Sequence, residues 1–140
     1  MVANVDNIKA TFIKCNNDYF GGELPLPHFK LLHSFRTCGY FQYTKEDWFD
    51  KTLHNPTLFI TDYYEFTQKQ FVDVMCHEMV HYYLAYIGLD RNCNHGKQFK
   101  KMAERLNKTY SLNITKTVDL SKFKRRKGTS SLLYWLAMYF

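Results

Sequence analysis

Residues His77-Glu78-Met79-Val80-His81 form an HExxH motif. Two histidines four residues apart lie one turn apart on one helix face, so both imidazoles can reach a single metal ion. The glutamate beside the first can take a proton from water held next to that metal. The chemistry this implies is metal-assisted hydrolysis, with His77 and His81 as ligands and Glu78 as the catalytic base. The competing explanation is a structural histidine pair, hydrogen-bonded inside a core.

The helix that must carry the motif is clearly marked. Thr67-Gln68-Lys69-Gln70 has the form of a capping box, and Phe66 and Phe71 are placed for a hydrophobic staple. Gly88 supplies a C-terminal stop. The spacing predicts a helix over 68–87, about 20 residues and roughly 30 Å long. Val72, Cys76, Met79, Val80, Tyr83 and Ile87 form its expected buried stripe. So few charges interrupt it that the helix should run through the core.

A catalytic metal site of this type needs a third protein ligand and an open position. His28, His33, His54, His95 and a downstream carboxylate are available. His95 follows the turn-rich stretch Gly88-Leu89-Asp90-Arg91-Asn92-Cys93-Asn94 and opens the next helix pattern, so the loop can return it to the first two histidines. Glu104 is the rival. It falls about 180° from His95 around a shared helix axis, so both cannot face one metal. Its neighbours Lys100, Lys101, Arg105 and Lys108 favour a solvated charge pair. Cys93 is a further donor, although a lone cysteine usually acts as a small hydrophobe. The spacing HExxHxxGxxH is absent.

Other segments resemble a known family. Asn17-Asp18-Tyr19-Phe20-Gly21-Gly22-Glu23-Leu24-Pro25 looks like the helix end and turn that open SprT-like metallopeptidase domains. Cys38-Gly39-Tyr40-Phe41 resembles that family's following strand, and Asn55-Pro56-Thr57-Leu58-Phe59-Ile60 its later strand. The HExxH motif and Asn94-His95-Gly96 complete the pattern, which covers about residues 5–110. The resemblance implies one zinc ion held by His77, His81 and His95, with Glu78 catalytic and a protein or peptide as substrate. The family includes Spartan proteases, which digest proteins crosslinked to DNA. Many relatives carry a C-terminal cysteine-rich zinc ribbon. Here no cysteine follows Cys93 and no CxxC occurs, which argues against a second structural zinc.

The remaining elements are read from pattern. Val5, Ile8, Phe12, Cys15 and Tyr19 give an amphipathic first helix ended by Gly21-Gly22. Strands are expected over 28–35, 39–44 and 57–61, with a polar loop over 45–54. A second long helix is expected near 95–109, with the core stripe Phe99, Met102, Ala103, Leu106 and Tyr110. Leu112 to Thr115 reads as extended. The fold class is α+β and zincin-like: a small β-sheet packed on the HExxH helix, with N-terminal and C-terminal flanking helices. Residues 1–120 form the metallopeptidase domain. Residues 121–140 add a basic segment and an apolar element, Ser130 to Phe140, that caps the core of the same single domain.

Composition sets the limits. A chain of 140 residues with 11 Tyr and 12 Phe can bury a substantial core. Cys15, Cys38, Cys76 and Cys93 are widely spaced and suggest no disulfide framework. The N-terminus has neither the basic region nor the apolar core of a signal peptide, so a reducing cytoplasm is expected. No apolar run has the length of a membrane span. Residues 91–127 carry 12 Lys/Arg against Glu104 and Asp119, a net +10. The whole chain is +6, so the remainder sums to −4. Lys97, Lys101, Arg105 and Lys108 share a helix face, and Lys124, Arg125, Arg126 and Lys127 follow. Such a half attracts polyanions, DNA included, through a salt-sensitive term. The function expected is a zinc-dependent endopeptidase, with DNA-associated proteins as candidate substrates. The alternatives are a non-catalytic, zinc-stabilised nucleic-acid-binding module and a regulatory protease of narrow specificity.

Overall fold

The computed structural model describes residues 1–44 and 52–127. Helix α1 (Val5–Tyr19) starts at Asn4, which exchanges side-chain-to-backbone hydrogen bonds with Asn7. It stops where Gly21 and Gly22 take φ values of +65° and +68°. The Asn16 side chain then holds both backbone groups of Leu24, which turns the chain toward the first strand.

Strand β3 (His54–Thr61) is the centre of a three-stranded sheet. β1 (His28–Leu32) pairs with it in parallel on one side, and β2 (Gly39–Thr44) antiparallel on the other. β3 starts three residues before its expected position, with Asn55 at φ +51° and Pro56 inside the strand. β1 ends three residues early. A second ribbon pairs β4 (Tyr64–Glu65) with β5 (Lys124–Arg125), and Val2 bridges to Glu65. Two-residue strands carry no alternation to read, so the sequence does not announce this ribbon.

Helix α2 (Gln68–Tyr86) forms as expected. Thr67 and Gln70 make both capping-box bonds, and the Phe66 and Phe71 rings lie 5.8 Å apart. Gly88 has φ +80°, the left-handed conformation of a C′ glycine. The buried stripe is different from the one expected. Val72 and Tyr83 are only half-buried, and Ile87 is 44% exposed. Twelve of the 19 residues of α2 are buried, Tyr82 among them. The reason is that α1, α3 (Lys97–Tyr110) and the sheet all pack on α2. A helix covered on several sides shows no single apolar face in its sequence. Phe41 of β2 and Phe12 of α1 both stack on Tyr82, which joins three elements.

Helix α3 buries Phe99, Met102, Ala103 and Leu106, four of its five expected core residues; Tyr110 is exposed. It starts at Lys97, so His95 belongs to the preceding loop. The 45–51 part of the expected loop and the apolar element Ser130 to Phe140 lie outside the described residues.

Candidate metal centre

His77, Glu78 and His81 sit in the middle of α2 and are 7%, 6% and 5% exposed. The loop between α2 and α3 brings His95 to them. The His95 Nε2 atom lies 3.0 Å from Nε2 of His77 and 3.0 Å from Nε2 of His81. In a tetrahedral set, metal–nitrogen bonds of about 2.0–2.1 Å place the ligand nitrogens roughly 3.3 Å apart. Both separations from His95 are close to this value, and all three ligand atoms lie within 4.8 Å of one another, so the cluster could hold one ion. His28, His33 and His54 lie outside this cluster, as do Cys93 and Glu104. Glu104 is exposed on α3.

The surroundings set the imidazole orientations. The His77 Nδ1–H donates to the Thr115 carbonyl at 2.8 Å, which leaves the Nε2 lone pair facing the cluster. Thr115 is carried there by a strap after α3. Asn107 accepts from the Ile114 N–H and donates to the Ile114 carbonyl, and Asp73 on α2 accepts from the Asn113 N–H. Phe99 lies beneath all three rings, with centroids 4.8, 4.8 and 4.9 Å from those of His77, His81 and His95. The sequence marks Phe99 as core, and its place four residues after His95 is the only signal of a second role. His81 Nδ1 is buried and meets no hydrogen-bond partner among the described residues.

Electrostatics suit a metal centre. Burial, with His95 adding to it, pushes the His77 imidazole down to about 4. Burial, then His77 and His95, pushes His81 down to about 3. His95 is lowered by burial and by Lys116. All three are thus neutral near pH 7, the state a ligand requires. Burial alone lifts the Glu78 carboxyl to about 8. Its Oε1 lies 3.7 Å from His77 Nε2, but a neutral ring beside a carboxyl so raised is not an ion pair. The centre opens into a cleft of about 410 Å³ whose walls include β2 from Gly39 to Phe41, Cys93 and Lys116.

The basic residues divide into two groups. Lys97, Lys101, Arg105 and Lys108 are exposed along α3. In the second group, Lys124 lies 3.7 Å from Glu65, and Arg126 lies 3.5 Å from Asp62. Arg125 pairs with Tyr64 in the ribbon, and Lys127 follows it, exposed. No helix among the described residues is long and apolar enough to cross a membrane.

Two outcomes follow from this geometry. His95→Ala should reduce retention of a divalent metal strongly, whereas Glu104→Ala should leave it unchanged, as read by metal analysis after dialysis. The metal-free protein should also show a stability maximum near pH 6.5. From there down to about 4 the unfolded chain protonates histidines that the folded chain keeps neutral, so acid destabilises. From there up to about 8 the folded chain keeps a proton on Glu78 that the unfolded chain has lost, so stability falls again. Glu78→Gln should abolish the alkaline fall and keep the acid one in denaturant titrations across this range.

Comparison with known proteins agrees with the motif. No curated protein matches the chain. A family model described as the SprT-like family matches residues 8–118, a span that contains most of α1, the three-stranded sheet, α2, α3 and all four residues of the centre. The chain belongs to the SprT-like family.

Proposed function

We propose that this protein is a zinc-dependent endopeptidase with a zincin-like site. The observation that carries this reading is the convergence of three imidazole Nε2 atoms beside a buried carboxyl, at the floor of an open cleft. His77, His81 and His95 would hold the ion. When bound, zinc supplies Lewis-acid chemistry at a scissile carbonyl and its water, and its charge favours the ionised form of Glu78. Glu78 then accepts the proton from water and delivers it to the departing amine. A purely structural site would have no use for this carboxyl, whose burial is unfavourable.

The sheet supplies a peptide-binding edge. β2 lines the cleft and pairs only with β3 among the described residues. The Cys38 carbonyl accepts from the Thr61 N–H. Alternation along an antiparallel pair therefore turns the backbone groups of Gly39 and Phe41 away from β3, toward the cleft. An extended substrate added there would be held by its main chain, with little demand on its side chains.

Glu78→Gln should retain one equivalent of zinc and the native fold, and lose hydrolysis of an unstructured polypeptide by about 10²–10³-fold. Retained turnover in the zinc-loaded variant would remove Glu78 from the mechanism. Inactivity of the native chain toward all polypeptides, with or without DNA, would favour the non-catalytic binding module.

Association with DNA is part of the same proposal, and α3 is its support. Four cations at positions 97, 101, 105 and 108 form a stripe that begins two residues after His95, with Glu104 the helix's only acid. Replacing these four by Gln should lower DNA affinity and its salt dependence together. Cleavage of a short free peptide should be unchanged. Equal binding by native and neutralised proteins in a salt series would reject this surface.

A further inference from the structure

Gly39 does not owe its identity to its backbone. It lies outside the positive-φ set formed by Gly21, Gly22 and Gly88, so its conformation is one that any residue could adopt. Space is the constraint. A Cβ at this position would stand 2.9 Å from Glu78 Cγ, 3.3 Å from Glu78 Cδ and 3.2 Å from the Phe59 carbonyl oxygen.

Neither neighbour can retreat easily. Phe59 belongs to β3, which is held by β1 on one side and β2 on the other. The Glu78 Cγ is the middle of a buried side chain on a buried helix, not the free end of a surface one. The alternation of β2 points the missing side chain of Gly39 at α2. Its N–H and carbonyl point away from β3, to the edge that no other strand pairs among the described residues. One residue thus touches the catalytic candidate on one side and presents backbone groups to the cleft on the other.

We propose that Gly39 is the positioning residue for Glu78. Its bare Cα lets the cleft-lining strand lie directly against the Glu78 side chain, and this contact sets the distance between the carboxyl and a peptide bound along β2. The inference rests on the hydrolase reading for its consequence in turnover, while the contact itself is testable without it. A methyl group here must push Glu78 aside or lift β2 from α2. Going from 2.9 Å to the 3.4 Å at which ordinary contact begins takes a shift of at least 0.5 Å, and a displacement of about 1 Å between reacting groups costs about 10²-fold in rate.

The experiment is a double-mutant cycle of Gly39→Ala and Glu78→Ala, read in two ways. In denaturant unfolding, Gly39→Ala should lower the midpoint in the native background, and most of that shift should disappear when Glu78 is Ala. If Gly39→Ala folds only in the Glu78→Ala background, the coupling is shown equally. In peptide hydrolysis, Gly39→Ala should lower kcat by about 100-fold, with KM little changed and one equivalent of zinc retained. A general loss of structure would instead move KM and zinc content together. Equal midpoint shifts in both backgrounds, or native kcat in Gly39→Ala, would overturn the proposal. A native chain that hydrolyses nothing would fail the hydrolase reading alone, and the midpoints would still decide whether Gly39 positions Glu78.

Discussion

The constraint on which this structure depends is the burial of two imidazoles and one carboxyl, those of His77, His81 and Glu78, inside one largely apolar helix. His77, Glu78 and His81 lie at the centre of α2, where most neighbours are fully buried hydrocarbon. Polar groups in such a place destabilise the fold unless they find partners. The protein answers with local devices. The strap after α3 brings the Thr115 carbonyl to His77, and Asn107 and Asp73 hold the strap. Phe99 gives all three imidazoles a common apolar wall. The Nδ1 of His81 meets no hydrogen-bond partner among the described residues, and burial alone raises the Glu78 carboxyl; those two groups bear most directly on the proposed chemistry.

The same constraint explains the arrangement around α2. The sheet covers one side, and its edge strand contributes Gly39 where a larger residue would meet Glu78. α3 covers another and places Phe99 beneath the rings. The cleft remains open between β2 and the loop before α3. Strand order matters here. Because β3 is central and β2 lies at the edge, the strand nearest the carboxyl pairs on one side only among the described residues. A sheet with β2 in the middle would present the same side chains and no edge for an extended chain.

Much of this was legible in the sequence, for reasons that differ by residue. The capping box at Thr67 and the glycine at 88 are local signals, and local geometry decides them. His95 could be argued from chain return and from helical phase against Glu104, and the loop does bring it to the other two histidines. The buried face of α2 was not legible, because Ile87 and Tyr82 trade places relative to a one-faced helix once three elements pack on it. The β4–β5 ribbon was not legible because its pairing is long-range and its strands are too short for a pattern. Its formation also changes the meaning of Lys124 and Arg126, which read as a bare basic run but lie beside Glu65 and Asp62. The role of Gly39 needed the third dimension altogether, since nothing local distinguishes a glycine that makes room from one that makes a turn.

His95 raises the question of whether the centre is assembled by its ion or made ready for it. The loop that carries it is exposed over most of its length, so hydrophobic packing holds it only weakly. Other contacts compensate. The Asp90 carboxylate accepts from the N–H groups of Asn92 and Asn94, which stiffens the loop from within. The Tyr43 hydroxyl donates to the Arg91 carbonyl and ties the loop to β2. The His95 ring rests on Phe99 one turn into α3. These bonds involve no metal, and they fix the third histidine relative to two that the core already fixes. The centre is therefore preorganised. It leaves His95 as the exposed member of the triad.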